Sequence, residues 1–135
     1  MAVIGIDHVN IRTSDVAATL GFFRDVLEMT VTPPPGRSSI SDSGWVLDGN
    51  GHAAIHVGST SLAFPGDDKQ AAVASRGSGA VHHVALNCGD YAATRDRFAR
   101  LGLSFTENHI RAAGLRQIFV HEPNGVLIEL NFREA

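Results

Sequence analysis

Seven histidines stand in a chain of 135 residues that has a single cysteine. Three of them, His8, His56 and His83, together with Glu129, carry the chemistry this sequence can do. Imidazole nitrogens and a carboxylate are the ligands that a borderline divalent cation takes. They are also groups that move protons near neutral pH. Whether the four can act together depends on the elements that hold them.

Those elements come in two copies. "IDHVNIRTSDVAATLGFF" (Ile6 to Phe23) aligns without a gap on "VHHVALNCGDYAATRDRF" (Val81 to Phe98) at an offset of 75, with seven of 18 positions identical. Internal repeats of this kind mark a duplicated supersecondary unit. His8 pairs with His83, Asp15 with Asp90 and Phe23 with Phe98. Each copy opens with a strand, in which Val9 and Ile11 alternate with His8 and Asn10, and Val84 and Leu86 with His83, Ala85 and Asn87. The N-terminal Met1 to Asp7 shows no signal-peptide pattern and is expected to lead straight into its strand. Asp15 and Asp90 are expected N-caps. The helices they open present Val16, Thr19, Phe23 and Val26, and Tyr91, Thr94, Phe98 and Leu101, as apolar stripes.

Further strands are expected near Met29 to Thr32, Gly44 to Leu47, Ala53 to Gly58, Ser104 to Glu107, Arg116 to His121 and Val126 to Phe132. "EPNG" (Glu122 to Gly125) ends in Asn-Gly, a hairpin signal. "TPPPGRSS" (Thr32 to Ser39) reads as an irregular loop. Module one spans about residues 1–63, a linker about 64–79 and module two about 80–135, within one domain. "AIHVG" (Ala54 to Gly58) corresponds to "LIELN" (Leu127 to Asn131), which makes His56 and Glu129 equivalent. His8 and His56 are 48 residues apart, His83 and Glu129 46.

Strand parity then sorts the faces. With Val9, Ile11, Val84, Leu86, Ile55, Val57, Ile128, Leu130 and Phe132 under the helices, the other face carries His8, Asn10, His83, Asn87, His52, His56, Glu129 and Asn131. His82 has the opposite parity to His83 and is expected to be dispensable. A single histidine in a strand is more often a hydrogen-bonded core residue than a ligand. Four ligand-capable residues at repeat-equivalent positions with one parity point instead to a divalent metal site.

Composition narrows the function classes. A formal charge of −3 offers no basic surface for nucleic acid. No apolar run approaches the roughly 20 residues that span a bilayer. One cysteine leaves no disulfide framework and fits a cytoplasmic protein. Among lesser candidates, His52, Gln117, Phe119 and Arg111 are expected to line a substrate cleft, with His121 on its rim. His109, Arg111 and Arg116 sit in or near the loop "ENHIRAAGLRQ" (Glu107 to Gln117), Trp45 is either core or cleft wall, and Cys88 has no catalytic role.

"IDHVNI", "VHHVAL" and above all "FVHEPNGVLIELNF" make the chain resemble the vicinal oxygen chelate superfamily. That group includes glyoxalase I, methylmalonyl-CoA epimerase, extradiol dioxygenases, fosfomycin-resistance enzymes and bleomycin-binding proteins. The resemblance covers nearly the whole chain. It implies an α+β fold of two tandem βαβββ modules forming a curved, open mixed sheet around a metal-binding cleft. It also implies one divalent metal ion (Fe, Zn, Ni, Mn or Co), a small-molecule substrate and a homodimer. The family's ligand places, on the first and last strands of each module, fall on His8, His56, His83 and Glu129. Glyoxalase I commonly has a glutamate at the place of His56, a departure that bears on glyoxalase activity itself. Extradiol enzymes often have an acid–base tyrosine at the place of Phe119, and bleomycin-binding relatives usually lack the ligands.

The expected activity is a lyase, isomerase or epimerase reaction on a substrate with neighbouring oxygens, through a metal-stabilised enediolate, with Glu129 or His56 moving the proton. The first alternative is a non-haem Fe(II) extradiol-type dioxygenase, with His8, His83 and Glu129 as a two-histidine, one-carboxylate triad. The second is a non-catalytic drug-binding module, which metal content after mild purification would discriminate.

Overall fold

The computed structural model describes residues 1–68 and 76–135. The middle of the expected linker therefore lies outside the described residues. The chain divides into two compact units, Met1–Ser75 and Arg76–Ala135, each with a four-stranded mixed sheet.

In module one, β1 (Val9–Thr13) leads to helix α1 (Val16–Gly21), and β2 (Thr30–Thr32), β3 (Ser43–Leu47) and β4 (Ala53–Ser59) follow. The sheet order is β1-β4-β3-β2, with β1 parallel to β4 and the other pairs antiparallel. Asp15 caps α1, its Oδ1 accepting from Ala18 N at 2.9 Å. A π-helical turn over Phe22–Val26 continues the helix. Val16, Thr19, Leu20, Phe22 and Phe23 are buried from this segment, against Val46, Ile55 and Val57 of the sheet. Each such apolar side chain contributes about 1.5–3 kcal/mol on leaving water. The helix sits close to β3. A methyl group on Gly44 would stand 2.8 Å from Leu20 Cδ1, so only glycine fits that position without displacing the leucine.

Module two repeats the plan. β5 (His83–Cys88), α2 (Tyr91–Arg100), β6 (Thr106–Ile110), β7 (Leu115–His121) and β8 (Leu127–Arg133) give the order β5-β8-β7-β6. Asp90 caps α2 through Ala93 N at 3.1 Å. The "EPNG" turn closes as expected, with Gly125 N donating to Glu122 O at 2.9 Å and Gly125 at a φ of 83°. Glu122 is buried and paired, its Oε1 accepting from the backbone of Asn124 and Val126.

Three expectations shift. β1 starts at Val9, and Met1 to His8 lie outside the sheet with Val3, Ile4 and Ile6 exposed. Ahead of Val9 the backbone is engaged by a side chain instead of a strand partner, the Asp7 carbonyl accepting from His52 Nε2. β6 lies further along than Ser104 to Glu107, because the polar "ENHI" pairs with β7 through Asn108↔Gln117 and His109↔Arg116. The connection is thereby shortened to the 3₁₀ turn Arg111–Ala113 and Gly114. Leu101 is exposed rather than part of the buried stripe. It follows the last residue of α2, and Phe98 is the only buried residue of that helix.

Candidate functional site

Parity places the chemistry as the sequence implies. In module one, Ile55 and Val57 of β4 are buried against α1, so His56 between them faces the other way. β1 runs alongside with Asn10↔His56, and β3 supplies Trp45↔His56. Trp45 is therefore part of the ligand face, not the core. Its ring stacks on His56 at 4.3 Å and 10°, and His8 meets it edge-on at 4.9 Å. The His8 and His56 rings are 6.3 Å apart.

The two histidines differ in what holds them. Asn10 Nδ2 donates to His56 Nδ1 (3.2 Å), which puts the ring proton on Nε2, where it donates to Ser43 Oγ at 2.9 Å. Both nitrogens of His56 are engaged. Burial, and after it the nearby charges of His8 and Arg12, push its pKa below the ordinary histidine value. His8 Nδ1 bonds Asp7 Oδ1 at 2.5 Å, and its Nε2 has no hydrogen-bond partner among the described residues.

In module two, His83 opens β5 and Glu129 lies on β8, where it pairs in register with Ala85. His83 Nε2 stands 3.7 Å from Glu129 Oε1. A ladder of amides fixes the carboxylate. Asn108 Nδ2 donates to Gln117 Oε1 (2.7 Å), Gln117 Nε2 to Asn131 Oδ1 (3.0 Å), and Asn131 Nδ2 to Glu129 Oε2 (2.9 Å). The ladder crosses β6, β7 and β8 on the ligand face because Asn108, Gln117 and Asn131 are register partners.

The lesser candidates separate. Gln117 is a buried member of the ladder, and Phe119 is the register partner of Glu129. Arg111 lies past the Ile110↔Leu115 end of the β6–β7 hairpin and is not brought to Glu129 within its module. His52 is exposed and its Nε2 donates to Asp7 O at 2.5 Å. Arg116 packs over the Tyr91 ring (4.9 Å) and pairs with Glu134 (3.3 Å). His82 lies just outside β5, where strand alternation does not apply, and its Nδ1 meets His83 Nδ1 at 2.9 Å. Opposite parity thus fails to separate the histidine doublet.

Sequence reading missed Ser43, Asn108 and Asp7. Ser43 has the parity of Trp45 and could have been found from "SGWVL" once β3 was paired to β4. Asn108 was hidden by reading its strand as loop.

Among the described residues, no three His, Cys, Asp or Glu side chains stand close enough together to hold a metal ion. Each module offers a pair: His8 with His56, and His83 with Glu129. The profile of the Glyoxalase/Bleomycin resistance protein/Dioxygenase superfamily matches residues 5–130. The chain belongs to that superfamily. No curated protein matches it by sequence. Three solved structures share the superfamily fold over nearly its full length. A lactoylglutathione lyase from Agrobacterium tumefaciens is 17% identical, covers 98% of this chain and 96% of its own, and has a TM-score of 0.68. The fosfomycin resistance protein FosX from Listeria monocytogenes is 16% identical with the same coverages and a TM-score of 0.67. A glyoxalase/dioxygenase from Nostoc punctiforme is 11% identical, covers 98% and 92%, and has a TM-score of 0.70. No helix among the described residues is long and apolar enough to cross a membrane.

Proposed function

We propose that this protein is a metal-dependent enzyme that moves a proton beside a carbonyl in a small substrate with two neighbouring oxygens. The observation that carries this reading is the His83–Glu129 pair. An imidazole Nε2 and a carboxylate Oε1 stand 3.7 Å apart on the face away from the helix, and Asn131 holds the other carboxylate oxygen. His8, with Nε2 unengaged, is the repeat mate of His83. Two imidazoles and a carboxylate fit a borderline divalent cation, with His56 as fourth ligand or as acid–base group. The pairs from modules one and two together make the set, within one chain or across a homodimer.

A bound cation would polarise the substrate oxygens. The chain's own residues do the rest. Burial favours the neutral form of His56, which can take a proton at Nδ1 if Asn10 releases it. Glu129 is the second proton carrier, through Oε1, while Asn131 keeps Oε2 occupied. Trp45 gives a flat apolar wall beside both histidines of module one.

The test is proton exchange into deuterated water, followed by NMR, over a panel of α-hydroxycarbonyl and dicarbonyl compounds with Zn²⁺, Ni²⁺, Co²⁺ or Mn²⁺. The panel includes lactoylglutathione, after the name of one structural relative. Metal-dependent exchange on any member supports the proposal. Absence of exchange with tight metal binding contradicts it.

A dioxygenase is the second reading. Engagement of both His56 nitrogens leaves His8, His83 and Glu129 as the ligand set of non-haem Fe(II) enzymes. Phe119, beside Glu129 in register, has no hydroxyl to serve as its acid. Oxygen uptake with Fe(II) and a catechol panel separates the two readings.

A further inference from the structure

The residue just before each repeat histidine is bonded to the same ring nitrogen. In module one, Asp7 Oδ1 meets His8 Nδ1 at 2.5 Å; in module two, His82 Nδ1 meets His83 Nδ1 at 2.9 Å. Asp7 and His82 are themselves repeat mates at the offset of 75. The contacts are possible because both residues precede the regular strand, where neighbours are not forced to opposite faces. Asp7 is held in turn by His52, whose Nε2 donates to its carbonyl. The His82 and His83 rings meet edge-on, 5.2 Å apart at 88°.

An ionised carboxylate only accepts, so the His8 proton must sit on Nδ1, and the Nε2 lone pair is left free. His82 is a different kind of partner. A neutral imidazole either donates or accepts at Nδ1, so it orients His83 without dictating where the proton lies. When His83 offers its Nε2 lone pair to a cation, its proton must be on Nδ1, and His82 Nδ1 is there to accept it. Histidine ligands usually donate their other N–H to such a partner, which fixes the tautomer and raises ligand basicity.

We infer that Asp7 and His82 are positioning residues that turn the Nε2 atoms of His8 and His83 outward as metal ligands. This rests on the proposed metal-binding role, and it reverses the expectation that His82 is dispensable. It also assigns a role to Asp7, which strand parity does not single out. The two partners are chemically unequal: the carboxylate fixes the His8 tautomer, whereas the His82 imidazole only orients His83.

The test is long-range proton–nitrogen NMR on the ¹⁵N-labelled, metal-free full chain, paired with Zn²⁺ titration. Wild-type His8 is expected to carry its proton on Nδ1. Asp7→Ala shifts that proton largely to Nε2 and leaves His83 unchanged, whereas Asp7→Asn, whose amide oxygen still accepts, keeps it on Nδ1. His82→Ala moves the His83 ring signals and not those of His8. Each alanine variant weakens Zn²⁺ binding about 10- to 100-fold. Asp7 is 85% exposed, so its loss leaves the core intact. A wild-type His8 protonated on Nε2, or alanine variants that bind Zn²⁺ like the wild type, would overturn the inference. A wild type that binds no metal removes the metal-centre proposal instead, and the His8 tautomer then still decides the role of Asp7.

Discussion

Module one and module two share a plan and differ in what surrounds their site residues. Around His56 the first module builds an aromatic, hydrogen-bonded socket from Trp45, Ser43 and Asn10. Around Glu129 the second builds a ladder of three amides. The first thus supplies an imidazole with both nitrogens in use. The second supplies a carboxylate with one oxygen fixed and the other near His83. Duplication kept the positions, and divergence changed their surroundings: a tryptophan wall against an imidazole in one half, a carboxylate held by an amide in the other.

The halves also differ in how their helices are anchored. In module one, α1 and the π-helical turn bury five side chains, whereas α2 buries only Phe98. Phe23 and Phe98 are repeat mates with 0% and 1% exposure. Replacing either with alanine is expected to cost about 3–5 kcal/mol, read by urea denaturation. Phe98→Ala should cost at least as much as Phe23→Ala, because α2 has no second anchor. The reverse order would break the comparison. On the functional side, His83→Ala is expected to weaken Zn²⁺ binding by more than the about 10- to 100-fold that loss of a ligand's hydrogen-bond partner costs. Calorimetry reads this, and wild-type affinity in that variant would remove module two from the site.

Much of this was legible before the structure. The offset of 75 paired His8 with His83, and the parity of the flanking apolar residues gave the strand face of His56 and Glu129, because strand alternation is a period a sequence displays directly. What surrounds those residues was not legible. The Ser43–His56 bond and the Asn108–Gln117–Asn131 ladder depend on strand register, which is set by pairing between distant segments. The Asp7–His8 and His82–His83 contacts escaped because parity was extended past the ends of β1 and β5. Leu101 was misplaced for a similar reason, the helical period having been carried one residue beyond α2.

Smaller effects sharpen the same comparison. Asp15→Ala should cost about 1 kcal/mol through the lost N-cap. Asp90 caps α2 from a left-handed backbone at φ 61°, while Asp15 sits at φ −131°. Glycine relieves the first and not the second, so thermal denaturation should show Asp90→Gly milder than Asp15→Gly. Smallest is the behaviour of Cys88. Burial raises its thiol pKa, outweighing the hydrogen bond from the Asn131 backbone. Thiolate therefore forms only at higher pH than for an exposed cysteine. Iodoacetamide labelling of the native protein at pH 8 should be slower than after unfolding, and equal rates would contradict the burial.

The most direct test uses Trp45, the sole tryptophan, which touches His8 and His56 in module one while Glu129 belongs to module two. Titration with Ni²⁺, followed by tryptophan fluorescence, is compared in the wild type and Glu129→Gln. One cation shared by both pairs predicts saturable quenching in the wild type and a midpoint at least about tenfold higher in the variant, since a charged ligand has been removed. Quenching that is absent in the wild type, or unchanged by Glu129→Gln, would contradict a metal centre built from both modules.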